Sequence, residues 1–513
     1  MSTVLFIRNN LKTELNFTGE HLLSELIELS GLSFSQPCGG QGKCRKCRVK
    51  LIDSTGERFC LACRETVASD CTVILDTVSE HSAVTETYSV FTSHLSRGEG
   101  FGAALDLGTT TLALRLFSLS TGEQLSTVSA GSAQSIFGAD VISRMKYAIA
   151  HPDGTQKMSD AIVSQLERML CDAAAKAGIS RDEIKLLTLA GNTTMQHLFC
   201  ALSPEGMASA PFTPLSLFDD GEYFTSPILG SLHVLPTPCI SAFIGGDILA
   251  GLYACGMAES DELTLFLDIG TNGEMALGNR DGIVCCSVAS GPAFEGAEIS
   301  CGMAGTTGAI SRVSCEDREL HFETIGNAAP KGICGSGLIE LLSVLLRLCA
   351  VDEGGRLLPP DELEDELPFI TEDENGNGLC VLDEENGITL SAADIRALQL
   401  AKAAVAAGIR VLLKERGVSM EQIDRLVLAG GFGSRLSKSA AADIGLIPRE
   451  LIGKTQVLGN CSLAGAQAML LDDSVYNKLL ELRKLCRVEE LSANPDFSDE
   501  FIDQMLFDDF SEI

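Results

Sequence analysis

No uncharged run of eighteen apolar residues occurs in this chain, so nothing in it reads as a membrane-spanning helix. The amino terminus, MSTVLFIRNN, meets Arg8 and two asparagines before an apolar core of signal length develops, and the expected location is the cytoplasm. Positive charge is scarce: 38 Lys and Arg stand against 70 Asp and Glu, a formal net charge of −32 that no basic run offsets locally. A surface of that sign repels nucleic acid and anionic lipid, so neither is expected as a partner. The seven histidines show no H-x-x-H or H-E-x-x-H spacing and receive no role. Disulfides are not expected either. The nineteen cysteines are spread over a large chain, most of them in apolar segments such as GLYACGM, where a free thiol packs like a small hydrophobe.

What is present is a 513-residue globular chain, 45% hydrophobic, with enough apolar material for about two to four domains. Its one dense cysteine group is CGGQGKCRKC, residues 38–47. The flanking sequence has the order of a β-grasp unit of about 78 residues. TVLFI and KTELNF flank Asn9-Asn10 as a hairpin, and HLLSELIELSG follows as a helix with Leu22, Leu23, Leu26, Ile27 and Leu29 on one stripe and Gly31 placed to end it. After the cysteine loop, CRVKLI and TVILD read as two more strands.

Cys38, Cys44 and Cys47 have the spacing C-x5-C-x2-C, and Cys63 follows in RFCLACRETV. Four thiolates are what a 2Fe-2S cluster needs, and Gly39, Gly40 and Gly42 let backbone N–H groups approach its sulfides. Zinc is the competing metal, but structural zinc sites usually pair two C-x2-C knuckles, and only Cys44 and Cys47 have that form. The loop is one residue longer than the plant-type spacing and resembles the vertebrate-type ferredoxin loop. Ferredoxin loops bring in the fourth ligand after a short apolar pair, here Leu61-Ala62, which favours Cys63. Cys60, three residues earlier, is the alternative, and with Cys71 it otherwise reads as a packed thiol.

Residues 79–101 are polar, lack helical period and end in glycine-rich sequence, as a linker would. Beyond them AALDLGTTTLALRLF delivers Asp106, Gly108, Thr109 and Thr110 from one strand into another. The arrangement returns as LFLDIGTNGEMALGN, with Asp268, Gly270, Thr271, Asn272 and Gly273. Backbone N–H groups and hydroxyls in such turns can cradle phosphate, while the carboxylate can hold Mg²⁺ through water. A third glycine turn, Gly430-Gly431-Phe432-Gly433, follows an apolar strand and precedes a helix. It resembles the adenosine-binding motif of the actin, sugar-kinase and heat-shock-chaperone (ASKHA) ATPases. That resemblance implies an α/β ATPase of two lobes with ATP between them, spanning residues 102–472, ahead of an acidic helical tail at 473–513.

Gly335-Ser336-Gly337 opens another helix, where a phosphate or a close helix crossing would each explain the glycines. Ser391 and Asp394 form a near capping box for a long helix with Leu398, Ala401, Val405 and Ile409 on one face. ASGPAFEGAEISCGMAG reads as a flexible loop, with Glu295 a candidate to orient Mg²⁺ or the attacking water. Residues 352–378 read as a solvated acidic insertion, and SDEFIDQMLF as a helix capped by Ser498 that docks Phe501, Ile502, Met505 and Leu506 on the body.

In combination, CGGQGKC-x2-C, LAC, ALDLGTTT, FGADVISRM, LAGNTTMQHLF, FIGGDILAG, FLDIGTNGE, SGPAFEGAEI, GICGSGLIE, LAGGFGSRL and LGNCSLAGAQAML resemble the reductive activators of corrinoid proteins, along nearly the whole chain. The resemblance implies one-electron, ATP-dependent return of a cob(II)alamin protein to cob(I)alamin. It also implies a corrinoid protein of a methyltransferase system and a low-potential electron donor as partners; a homodimer is compatible with it. In that scheme Cys38, Cys44, Cys47 and Cys63 hold the cluster, and Asp106, Thr109, Thr110, Asp268, Thr271, Gly430, Gly431 and Gly433 bind ATP and Mg²⁺. The stretch before Asp106 is too short for the extra middle domain of longer members, and no cysteine-rich extension closes the chain. Two other functions compete: a small-molecule kinase with a redox-sensing iron-sulfur domain, and a nucleotide-switched binding module whose cluster is structural.

Overall fold

A computed structural model describes residues 2–8, 11–30, 32, 47–75, 95–433 and 436–508. Cys38, Cys44, the glycines between them and residues 79–94 of the expected linker lie outside the described residues. No helix among the described residues is long and apolar enough to cross a membrane.

Near the amino terminus five strands form one mixed sheet in the order 11–17, 2–8, 71–74, 48–53, 56–61. Ser2–Arg8 pairs antiparallel with Leu11–Phe17 and parallel with Cys71–Ile74, the β-grasp pattern. The helix Leu23–Leu29 buries Leu23, Leu26 and Ile27 against it. Leu29 does not join that stripe and is 66% exposed. At about 100° per residue it falls roughly 110° from the centre of the other three, off their stripe. Leu22 belongs instead to a short strand that pairs with Thr66. The strand Gly56–Leu61, absent from the sequence reading, carries Cys60.

The body holds two larger sheets built on one plan. In the first, Phe101–Leu107 lies between its hairpin partner Thr111–Ser118 and the parallel strand Ile184–Gly191. In the second, Thr264–Ile269 lies between its hairpin partner Gly273–Asn279 and the parallel strand Arg425–Ala429. The repeat read from the two D-x-G-T segments is therefore a repeat of topology. Near-continuous runs of apolar residues bury both central strands, and each delivers its aspartate near the strand end.

Two helices join the lobes. Gly246–Ala254 crosses Cys461–Leu471 so closely that a Cβ on Gly465 would stand 2.4 Å from the Ala250 carbonyl oxygen. Glycine is required at that crossing.

The long helix Ala392–Arg416 starts with the expected box: the Asp394 N–H donates to Ser391 Oγ, and the Ser391 N–H donates to the Asp394 carboxylate. Gly417, left-handed at φ 69°, ends it. The acidic insertion is anchored by buried Leu367, Phe369 and Ile370. The chain after residue 472 is more than a helical tail, because Cys486–Val488 adds a parallel edge to the second sheet. Its last helix, Pro495–Asp503, is capped by Asn494 rather than Ser498, since proline suits the first helical position. Phe497, Phe501 and Phe507 make the docking contacts; Ile502 and Leu506 face outward.

Candidate functional site

The two aspartate turns face each other across the junction of the lobes. In the first, Gly108 permits a tight turn: a Cβ there would lie 2.4 Å from the Thr111 carbonyl oxygen. In the second, the Gly270 N–H donates to the Asn272 carbonyl at 2.8 Å, and Ser290 Oγ donates weakly to the carbonyls of Gly270 and Thr271.

Glu295 joins them. Thr271 Oγ1 donates to one of its carboxylate oxygens at 2.9 Å and Thr110 Oγ1 to the other at 3.2 Å. Within the expected loop, Pro292–Glu295 forms a 3₁₀ turn between the positive-φ glycines Gly291 and Gly296, and the remainder has no helix or strand. The proline and the two glycines fix a segment that composition alone made look loose.

Four further carboxylates gather nearby. Asp106 accepts from Asn460 Nδ2 and Ser462 Oγ, each at 2.8 Å, and burial still raises its pKa against those two donors. Burial, with the Asp106 charge added, pushes Asp268 up to about 7. Asp247, on the helix Gly246–Ala254, is pushed to about 7 by burial and then by Asp268. Glu274 stands directly across the hairpin from Asp268; burial and the charges of Asp247 and Asp268 hold its pKa well above the ordinary value. Each of these side chains keeps part of its surface open to solvent, so the group is deep yet reachable. Concentrated negative charge of this kind suits a divalent cation. Among the described residues no three His, Cys, Asp or Glu side chains are placed to hold a metal ion together.

Gly430 closes the second turn from behind, at φ 76°, where a Cβ would stand 2.3 Å from Asp268 Oδ1. Gly431 and Gly433 follow it in a short helical turn. Gly335 and Ser336 open a helix as anticipated, but the Ser336 hydroxyl donates to the Ser311 carbonyl and the absence of a Cβ on Gly337 admits the Ile310 carbonyl. At this turn the structure favours the close crossing. Further along the same helix, Glu340, Ser343 and Arg347 line a cavity of ≈ 610 Å³ with Ser437 and Ser439, which lie beyond the Gly430–Gly433 turn.

Sequence reasoning missed Asp247, Glu274, Asn192, Asn460 and Ser462 as members of this site. The quoted segments FIGGDILAG and FLDIGTNGE did contain a signal, an acid next to glycines at a helix start and an acid on the exit strand. A Cβ on Gly245, just before Asp247, would fall 2.4 Å from Asn192 Cα.

At the amino-terminal sheet, Cys47 and Cys63 are buried with their sulfurs 3.2 Å apart. Cys60 sits on a strand opposite Val49, and burial pushes its thiol up to about 11, as it does that of Cys71. Cys47, the last residue of the loop, and Cys63 thus stand side by side, a donor pair that fits an iron-sulfur group.

Residues 262–511 match the family described as the C-terminal domain of RACo, the ASKHA domain, and residues 101–260 match the RACo middle region. A solved structure titled reductive activator for corrinoid, iron-sulfur protein is 30% identical, covers 100% of both chains and superposes with a TM-score of 0.71. The chain belongs to the reductive activators of corrinoid proteins. Within that family it is 29% identical to the corrinoid activation enzyme RamQ of Eubacterium limosum, over 97% of this chain and 98% of the relative. It is 27% identical to the [Co(II) methylated amine-specific corrinoid protein] reductase of Methanosarcina barkeri, over 76% of this chain and 74% of the relative. The activators' middle region falls on the first lobe of the body, after the linker rather than within it.

Proposed function

We propose that this activator hydrolyses Mg²⁺-bound ATP between its two lobes and uses the cycle to drive one-electron reduction of a corrinoid protein from the cob(II)alamin to the cob(I)alamin state. The observation that carries the reading is Glu295, one carboxylate held by a threonine from each phosphate turn. A γ-phosphate entering between Thr110 and Thr271 would take over both hydroxyls, so nucleotide would replace the carboxylate as the bridge between the lobes.

Asp106 and Asp268 would face the water shell of Mg²⁺, and the amides of both turns would bind phosphate. Asp247 or Glu295, with pKa values raised by burial, would accept the proton of the attacking water. The cavity beside Glu340 and Ser343 has room for the nucleoside end. Cys38, Cys44, Cys47 and Cys63 would hold a 2Fe-2S group, which when bound supplies one electron at a time. The printed names of two relatives, an activation enzyme and a reductase, support the redox half of the reading.

Nucleotide is needed because about 59 mV shifts a one-electron equilibrium tenfold, and an ordinary ferredoxin is a weak reductant for five-coordinate cob(II)alamin. Binding can supply the difference only if ATP prefers the conformation that also holds the partner. Absorbance of a cob(II)alamin protein, mixed with this chain and a low-potential reductant with and without ATP, tests the whole reading. Formation of cob(I)alamin should require ATP. Cys63→Ser should lose both the iron content and the reduction, whereas Cys60→Ser should keep both. Full reduction by the Cys63→Ser variant would remove the cluster from the scheme.

A further inference from the structure

The segments FGADVISRM and LAGNTTMQHLF are not accounted for by the phosphate turns, yet they meet at one of them. Arg144, on the helix Val141–Ala150, is fully buried. Its Nη2 donates to the Thr109 carbonyl at 2.7 Å, its Nε to the Gly138 carbonyl at 2.9 Å, and its Nη1 to Met195 Sδ at 3.0 Å. Asn192 completes the ring: its Nδ2 donates to Thr109 Oγ1 at 3.0 Å, and its Oδ1 caps the Met195 N–H at 2.9 Å. Thr109 is thus held through its carbonyl by one segment and through its hydroxyl by the other.

Every acceptor of this guanidinium is neutral, and one is a thioether, a weak acceptor. The carboxylate whose charge acts on it, Asp140, caps the Ser143 N–H and forms no salt bridge with Arg144 among the described residues. Burial lowers the Arg144 pKa to about 10, so it stays charged at neutral pH. A guanidinium buried among neutral acceptors with no salt bridge is costly to keep. A fold that needed only a tether for Thr109 could use a neutral amide.

The peptide unit explains the choice. Its C=O and N–H point in opposite directions because the bond is planar and trans. The carbonyl that accepts from Arg144 belongs to the Thr109–Thr110 unit, so its N–H, that of Thr110, points away from the guanidinium. The Thr110 side chain reaches Glu295 of the other lobe. A charged donor on the carbonyl polarises the whole unit and makes that N–H a stronger donor to an anion. We infer that Arg144 is a positioning residue of the nucleotide site, a buried cation that orients and polarises the first phosphate turn through Thr109 and so strengthens its hold on a polyphosphate. The inference rests on the nucleotide reading above and names the group that sets its phosphate affinity.

Calorimetric binding of Mg²⁺-ATP, tripolyphosphate and adenosine to the full chain tests it, with Arg144→Met, Arg144→Gln and Arg144→Lys. Arg144→Met should lose affinity for ATP and tripolyphosphate by about tenfold to a hundredfold, the scale of one charge-assisted contact, and keep its affinity for adenosine. Arg144→Gln, which keeps a donor without the charge, should behave like the Met variant, and Arg144→Lys should recover most of the phosphate affinity. Should Arg144→Met fail to fold, the Gln and Lys pair decides the matter alone. Equal loss of adenosine and ATP, or unchanged ATP affinity in the Gln variant, overturns the role of Arg144. A wild-type chain that binds neither ATP nor tripolyphosphate overturns the nucleotide reading itself.

Discussion

The two phosphate turns share a motif and a topology, but their aspartates sit in different electrostatic surroundings. Asp106 has Ala113 across its hairpin and accepts two side-chain hydrogen bonds from the start of the joining helix Cys461–Leu471. Asp268 has Glu274 across its hairpin, Asp106 as a charged neighbour and Gly430 pressed against one oxygen. One carboxylate is solvated by the protein; the other is crowded by like charge. Duplication of a turn therefore did not duplicate its chemistry. The first turn reads as the fixed wall of the site, backed by Arg144 and Asn192, and the second as the wall whose charge a cation must relieve.

The comparison can be broken most sharply at the aspartates. Asp268→Asn should lower ATP turnover about 10²–10⁴-fold, the usual weight of a group acting directly in catalysis, as measured by phosphate release. The same variant carries a pH signature. Because the folded pKa of Asp268 is raised from 3.8 to about 7, the native state holds a proton that the unfolded chain has already released. Its stabilising contribution is full below about pH 4 and is lost as the pH rises through 7. The thermal midpoint of the nucleotide-free chain should fall across that window, and Asp268→Asn should flatten the fall. An unchanged slope would mean that the crowding of the second turn is not felt.

Gly430→Ala comes next. It should destabilise the chain by about 1–3 kcal/mol, since alanine at a positive φ is strained and its Cβ meets Asp268, and denaturant unfolding would read the loss. The smallest effect is expected from Glu274→Gln, which removes a like charge opposite Asp268 while keeping the shape. A gain of up to about 1 kcal/mol in nucleotide-free protein that grows as the pH rises would match the repulsion. A loss would show that Glu274 serves another partner.

The elements that sequence alone located are those whose signals are local. Ser391 and Asp394 announced a helix start because capping acts within a single turn. Leu29 and Ser498 misled for the complementary reason: an apolar residue can face solvent, and Asn494 followed by Pro495 is the stronger start. Glu295 was picked out as a site residue, but its rigidity was not anticipated, since the glycines around it allow a fixed turn as readily as a loose one. Asn460 and Ser462 gave no sign of their role because they reach Asp106 from more than 350 residues away.

By itself, the order of residues determined that two glycine turns would each present an aspartate and threonines at the end of a buried strand, and that several thiols would share one loop. Alternation, glycine freedom and spacing act over a few residues and need no partner to be read. Tertiary structure alone decided which aspartate would be hydrogen-bonded and which crowded, and that a buried arginine would stand behind Thr109. Charge, burial and contact depend on atoms that distant parts of the chain bring within a few ångströms, and no local pattern records where those atoms will be.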